Sequence, residues 1–176
     1  MGSISRKNQR EQPIRKIVAF GDSVTYGMSA SRPERCWVNR LTRMLEEYQE
    51  IPIHVINQGL CGNILCVDSG AYEIGAKPAG LERLQRDVID CRPDLVLIAF
   101  GLNDARGGAT VEEFVQGYQH MVDELKKALP EAALIAVNLY YMHESFYTSC
   151  EGWTHSSYAL TDEFNQAIEQ LAEKIS

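Results

Sequence analysis

Long hydrophobic runs are missing from this sequence of 176 residues. A transmembrane helix needs about 20 consecutive apolar residues, and no stretch of that kind occurs. The N-terminus also lacks the apolar segment followed by small residues that is typical of a secretory signal peptide. These absences predict a chain without a membrane span and favour the cytoplasm as its compartment.

Positive charge is also scarce. The sequence holds 17 lysines and arginines against 24 aspartates and glutamates, so its formal net charge is −7. Proteins that bind nucleic acids neutralise phosphates with a basic patch, and this composition predicts no nucleic-acid partner. Residues 1–13 are expected to form a flexible, solvated basic arm. The basic side chains that cluster near the start are Arg6, Lys7, Arg10, Arg15 and Lys16.

Disulfide and zinc-binding patterns are absent as well. The cysteines are odd in number and none is paired in a C-x-x-C spacing, which argues against a disulfide framework and a zinc site. The simplest interpretation is a set of reduced and mostly buried thiols. The cysteines are Cys36, Cys61, Cys66, Cys91 and Cys150.

Four short apolar runs are present instead, at residues 14–20, 53–56, 95–100 and 133–140. Their nearly continuous apolar character is typical of parallel strands that are buried on both faces. Segments with a helical spacing of apolar residues lie between them. This order predicts an α/β fold with one doubly wound parallel sheet, in a single domain of residues 14–176.

The end of the chain predicts an incomplete sheet. A helix over residues 160–175 carries Phe164, Ile168 and Leu171 at helical spacing, and no strand follows it. The strongly apolar fourth strand then lies at a sheet edge, where exposed apolar strands promote aggregation. The expectation is that this chain lacks a last strand and helix that a longer protein has.

Polar and glycine-rich segments follow the first three predicted strands. They read GDSVTYG, NQGLCGN and GLND. Because the carboxyl ends of parallel strands lie at one edge of the sheet, these segments are expected to meet there. Ser23 could then attack an acyl carbonyl, while the N–H groups of Ser23 and Gly62 and the side-chain amide of Asn103 stabilise the oxyanion.

Each of these residues also has a purely structural explanation. Ser23 could cap a helix, Gly62 could form a turn and Asn103 could form an Asx turn. The first loop could instead hold a phosphate in a flavodoxin-like binding module, although that function gives Asn103 no role. A phosphatase with Asp22 as its nucleophile is weaker, because no second aspartate stands two residues further on. Taken together, the three loops favour acyl transfer.

The blocks FGDSVTYG, NQGLCGN and GLND, in this order, resemble the first three blocks of the GDSL, or SGNH, hydrolases. The resemblance runs from about residue 14 to the C-terminus. It implies a flavodoxin-like three-layer α/β/α fold and a serine esterase or lipase without a metal or organic cofactor. Ser23 then matches the catalytic nucleophile, and Gly62 and Asn103 match the catalytic oxyanion residues. The implied partner is a small acyl ester, with acylated carbohydrates and lipids among the candidates.

The general base departs from the family pattern. The family takes its histidine from a D-x-x-H block near the C-terminus, and this sequence contains no such block. His143 and His155 follow the fourth strand and could replace it, but loss of the block with a missing C-terminal segment is the preferred interpretation. Two alternatives stay open: an acyltransferase with the same residues, and a non-catalytic fragment that keeps the oxyanion pocket.

Two further features bear on the substrate. Residues 64–77 form a long connector, interpreted either as a lid or pocket wall or as a surface insertion. Aromatic side chains after the fourth strand could line an acyl or sugar pocket, or pack in the core. They are Tyr140, Tyr141, Phe146, Tyr147 and Trp153.

Overall fold

The computed structural model describes residues 13–28, 30–148 and 150–175. Its sheet contains four strands in the order β2-β1-β3-β4, and all neighbouring pairs are parallel. The predicted doubly wound parallel sheet is therefore confirmed, while residues 1–12 of the predicted basic arm lie outside the described residues. The strands are β1 (Lys16–Gly21), β2 (His54–Gly59), β3 (Leu95–Ala99) and β4 (Ala133–Ala136).

Helices connect and follow the strands. Thr110 caps the long helix α5 together with Glu113 in a capping box, and Pro130 follows the end of that helix. A π-helical segment, Gln85–Ile89, extends α3. The helices are α1 (Ser23–Tyr26), α2 (Trp37–Tyr48), α3 (Gly80–Leu84), α4 (Leu102–Gly107), α5 (Val111–Ala128), α6 (Glu144–Tyr147) and α7 (Tyr158–Ile175).

The two faces of the sheet are covered by different helices. In β1, Val18 and Phe20 belong to the main core, which also contains residues of α5 and α7. Ile17 belongs to a second cluster that packs against α2. Both faces of this central strand are thus buried, which explains why its sequence is continuously apolar instead of alternating. The result is the three-layer α/β/α arrangement that the sequence predicts.

The fourth strand is four residues shorter than predicted. The Val137 N–H still donates to the Ile98 carbonyl over 2.9 Å. Beyond it, the Leu139 N–H donates to Asn165 Oδ1 over 2.7 Å, and Asn165 Nδ2 donates back to the Leu139 carbonyl over 3.1 Å. An amide side chain of α7 therefore replaces a strand as the hydrogen-bond partner of residue 139.

The connector of residues 64–77 is buried at its start and largely exposed or half-buried after residue 66, apart from Ala71. Ile64, Leu65 and Ala71 are 0% exposed and pack into the body of the domain. Cys66 lines a cavity of about 390 Å³ with residues of α5, and this cavity is not lined by Ser23, Gly62 or Asn103, so the role of the connector at the candidate site stays a prediction.

Candidate active site

Ser23 is the first residue of α1, directly after β1. The helix is capped by Asp22, whose Oδ1 accepts the Val24 N–H over 2.9 Å, so the explanation of Ser23 as a cap is wrong. The first N–H groups of a helix have no partner within the helix, which leaves the Ser23 N–H available to a ligand. Within the described part of the chain, no side chain hydrogen-bonds the Ser23 hydroxyl.

The end of β2 lies directly against α1. Asn57 Nδ2 donates to the Thr25 carbonyl over 2.8 Å, and Asn57 Oδ1 accepts the Gly59 N–H over 2.9 Å. A Cβ atom at Gly59 would overlap the backbone nitrogen of Tyr26. Only glycine therefore permits this approach, which fixes the helix that carries Ser23 against the second strand.

Gly62 lies in a tight turn, as its structural explanation predicts. The turn is closed by the Asn63 N–H, which donates to the Leu60 carbonyl over 3.1 Å. The φ angle of Gly62 is 70°, in the left-handed region that favours glycine. Its own N–H has no acceptor among the described residues, so the turn leaves this donor available to a ligand.

Asn103 belongs to α4 and does not form an Asx turn. It is 5% exposed, and its Nδ2 donates to the backbone carbonyl of Asn63 over 2.9 Å. An amide nitrogen carries two N–H groups, and the second has no acceptor among the described residues. The loop that contains Gly62 is therefore joined directly to Asn103.

Asn63 connects these elements and was not predicted from the sequence. It is fully buried, and its Nδ2 donates to the carbonyls of Ala76 and Pro78 over 2.8 Å each. Its Oδ1 accepts the Nε–H of Arg83 over 2.8 Å. Every polar group of Asn63 is paired, which makes the loop after β2 rigid.

Two buried carboxyl groups flank the candidate site. Burial raises the pKa of Asp22 to about 6, although the Val24 N–H acts in the opposite direction. Burial also raises the pKa of Asp104 to about 6, and the charge of Asp22 adds to this effect. Asp104 Oδ1 accepts the N–H groups of Leu65 and Cys66 over 2.9 and 3.2 Å, whereas its Oδ2 has no hydrogen-bond partner among the described residues.

A small cavity of about 220 Å³ lies beside Asp22 and α1. Its walls are mainly apolar and include Val24, Trp37 and Leu139, together with Tyr140. Tyr140 is therefore the predicted aromatic residue that lines this space.

The other predicted aromatic residues have different surroundings. Tyr147 is 3% exposed and its hydroxyl accepts the Met142 N–H over 3.2 Å. Tyr141 stacks on Tyr158 with ring centroids 4.6 Å apart. Trp153 packs against the small cluster around Ala71, and Phe146 is exposed.

None of the four histidines hydrogen-bonds the Ser23 hydroxyl. His143 is the exposed N-cap of α6, and its Nδ1 lies 2.9 Å from Ser145 Oγ. The ring of His155 lies next to Gly108, and its backbone N–H donates to the Arg106 carbonyl over 3.1 Å. His54 begins β2 and His120 lies in α5.

A comparison with sequence profiles of known families identifies the family of this chain. The sequence profile of the GDSL-like Lipase/Acylhydrolase family matches residues 19–176. This chain belongs to that family. Membership places it among the hydrolases that act on ester bonds. A search among curated proteins found no match.

Solved structures of similar fold include several members of this family. A lipase/acylhydrolase from Enterococcus faecalis is 24% identical with a TM-score of 0.66, over 92% of this chain and 73% of that one. AlinE4, an SGNH-hydrolase family esterase, is 23% identical with a TM-score of 0.65, over 93% and 74%. A variant of Axe2, an acetyl-xylooligosaccharide esterase from Geobacillus, is 22% identical with a TM-score of 0.65, over 92% and 73%.

Other expectations concern metals, membranes and thiols in this GDSL-family chain. Within residues 13–28, 30–148 and 150–175, no group of three or more His, Cys, Asp or Glu side chains is arranged to hold a metal ion. In the same residues, no helix is both long and apolar enough to cross a membrane. No disulfide bond joins cysteines of the described residues, but only Cys36 and Cys66 are buried, so the prediction of mostly buried thiols is wrong.

Proposed function

We propose that this GDSL-family chain hydrolyses small acyl esters through a covalent acyl-enzyme on Ser23. The observation that carries the proposal is a set of N–H donors without acceptors in three segments, α1, the loop after β2 and α4. The N–H groups of Ser23 and Gly62 have no acceptor in the described chain, and Asn103 is bonded to the residue that follows Gly62. Such donors are what a tetrahedral oxyanion requires.

In the first step, Ser23 Oγ attacks the ester carbonyl and its proton passes to a general base. The carbonyl oxygen becomes an oxyanion that accepts hydrogen bonds from the Ser23 and Gly62 N–H groups and from the free N–H of Asn103. Collapse of this intermediate breaks the ester C–O bond and releases the alcohol, which takes a proton. Water then gives a proton to the general base and attacks the acyl carbonyl; the bond to Ser23 Oγ breaks, the carboxylic acid leaves, and the base returns the proton to Ser23.

The proton acceptor is a histidine in this proposal, because a group with a pKa near ~6.5 suits general base catalysis at neutral pH. His143 and His155 are the histidines that follow β4, and neither hydrogen-bonds Ser23. Alanine substitution of each, separately, tests whether either one is the base.

We assign a short acyl group to the cavity beside α1, which is lined by Asp22 and Val24, the chain neighbours of Ser23, and not by Ser23 itself. A volume of about 220 Å³ compares with about 150 Å³ for an engineered cavity that binds benzene. It has room for a few carbon atoms and is below the range of about 300–1,000 Å³ typical of drug-sized ligands. The Axe2 structure is of an enzyme named for acetyl esters of xylooligosaccharides, which is consistent with a short acyl group.

The test is hydrolysis of p-nitrophenyl acetate by the chain and its Ser23→Ala variant. Ser31→Ala is the matched control, because Ser31 is exposed and only accepts a bond from Arg35. We expect Ser23→Ala to lower turnover at least about 10³-fold, and Ser31→Ala to leave it unchanged. Turnover that survives Ser23→Ala would overturn the assignment of the nucleophile.

A further inference from the structure

We propose that Arg83 is a positioning residue of the oxyanion hole, which touches no substrate but fixes the loops that carry the three donors. This inference rests on the function proposed above. The sequence alone gives Arg83 no special role, because an arginine four residues before an aspartate in a helix, here Asp87, is typical of an exposed ion pair.

The guanidinium of Arg83 joins the ends of two strands and the following loop. Its Nη2 donates to the Gly21 carbonyl over 2.9 Å, at the end of β1. Its Nη1 donates to the Gln58 carbonyl over 3.0 Å, near the end of β2. Its Nε donates to Asn63 Oδ1 over 2.8 Å. Three different segments are thus held by one side chain.

Each of these contacts is close in sequence to a proposed oxyanion donor. Gly21 precedes Ser23 by two residues, and Asn63 directly follows Gly62. The backbone carbonyl of Asn63 accepts the Asn103 amide over 2.9 Å. Arg83 therefore acts on Ser23 and Gly62 through the backbone, and on Asn103 through Asn63.

Burial makes this arrangement rigid. The Arg83 side chain is 2% exposed, and its guanidinium lies 4.3 Å from the centroid of the Phe20 ring. Asp87 Oδ2 lies 2.9 Å from Nη1 and balances the charge. A buried charge is tolerated only where its donors are paired, so a shift of Arg83 would leave several groups unsatisfied at once.

The contacts require the shape of arginine. A guanidinium presents five N–H donors in a fixed planar fork, which can reach separate acceptors at the same time. A lysine ammonium has its three donors on one nitrogen and cannot span the same acceptors. Methionine fills a similar apolar volume but provides no donor.

The test compares Arg83→Met and Arg83→Lys with Arg86→Met. Arg86 is the matched control, because it also pairs with Asp87 but its side chain is 69% exposed. We measure kcat and KM for p-nitrophenyl acetate, and by NMR the amide resonances of Gly62 and of the Asn103 side chain. We expect Arg83→Met to lower kcat about 10- to 100-fold with KM within about threefold, because small misplacement of a catalytic donor has effects of this size.

The amide resonances of Gly62 and Asn103 should shift in Arg83→Met, shift less in Arg83→Lys, and stay in place in Arg86→Met. Leu125→Ala, a change in the core at α5, controls for lost stability alone. The proposal is overturned if folded Arg83→Met keeps its kcat and both resonances, or if Leu125→Ala lowers kcat equally. If Arg83→Met does not fold, the kcat and the two amide resonances of Arg83→Lys test the proposal instead. If the unmodified chain shows no Ser23-dependent turnover, the proposed function fails while the resonances still test Arg83.

Discussion

The side-chain amide of Asn103 donates to the backbone carbonyl of Asn63 over 2.9 Å. This bond joins the loop after β3 to the loop after β2. Because Asn63 is fully buried and fully paired, the position of Asn103 relative to Gly62 is fixed before any substrate binds. Donors that are oriented in advance are the basis of oxyanion stabilisation.

Replacement of Asn103 by alanine should affect catalysis more than binding. The lost N–H acts on the oxyanion, which exists only in the transition state, so kcat should fall about 10²- to 10³-fold with little change in KM. Asn39→Ala is the control, because Asn39 is an exposed asparagine that bonds the Pro33 carbonyl. A rise in KM at constant kcat would show that Asn103 only binds the substrate.

Replacement of Gly62 by alanine separates backbone strain from catalysis. Its φ of 70° costs an alanine about 1–2 kcal/mol of stability, although the added Cβ has room, with the Ala76 Cβ at 3.6 Å. Gly152→Ala is a matched control, because Gly152 has a φ of 80° and similar space. We expect similar losses of stability in chemical denaturation, but a lower kcat only in Gly62→Ala, because an alanine that relaxes the φ angle of residue 62 turns its N–H away from the oxyanion. Equal kcat values in the two variants would contradict the role of Gly62.

The sequence predicts the sheet and the three site residues because their signals are local. Continuous apolar runs identify buried parallel strands, and each strand end is marked by glycine and polar residues. The order of these loops places Ser23, Gly62 and Asn103 at one edge of the sheet without any knowledge of side-chain contacts. The family profile confirms the family and the fold confirms the parallel sheet, while the roles of the three residues stay a prediction.

The residues that hold the site together could not be predicted, because their partners are distant in sequence. Arg83 bonds Gly21, 62 positions away, and Asp104 bonds Leu65, 39 positions away. β4 ends early for a similar reason, because the Leu139 N–H donates to the side chain of Asn165 in α7 instead of to a neighbouring strand. Short-range patterns carry no information on such pairs.

The buried carboxyl of Asp104 should make stability depend on pH. Because its pKa is raised from 3.8 to about 6 in the folded state, the folded chain holds this proton more tightly than the unfolded chain. Its contribution is therefore full below about pH 3.8 and is lost as the pH rises through about 6. Between these two pH values, the proton held by Asp104 in the folded state changes the free energy of unfolding by about 1.4 kcal/mol per pH unit.

The Asp104→Asn variant keeps an oxygen acceptor for Leu65 and Cys66 but does not titrate. Relative to this variant, the unmodified chain should lose free energy of unfolding as the pH is raised from 4 to 7, as measured by urea denaturation. Asp22, with a pKa of about 6, titrates in both proteins, so the difference between the two curves reports on Asp104. A difference between the two that is independent of pH would contradict the buried, protonated carboxyl.

The activity profile should separate the general base from Asp22. Hydrolysis should rise with pH through a histidine-like pKa near ~6.5, but Asp22 next to Ser23 also has a pKa of about 6. Asn is as good an N-cap as Asp, so Asp22→Asn should keep α1 and retain the rise in kcat/KM with pH. Loss of that rise in Asp22→Asn would assign the titration to the Asp22 carboxyl instead of a histidine.

Covalent labelling of the Ser23 hydroxyl is the direct test of whether Ser23 is the nucleophile. A p-nitrophenyl phosphonate ester forms a stable adduct with an activated serine, and mass spectrometry of the digested protein locates it. We expect one adduct on the peptide that contains Ser23, which is present in Ser31→Ala and absent in Ser23→Ala. An adduct on another residue, or labelling that persists in Ser23→Ala, would contradict this role of Ser23.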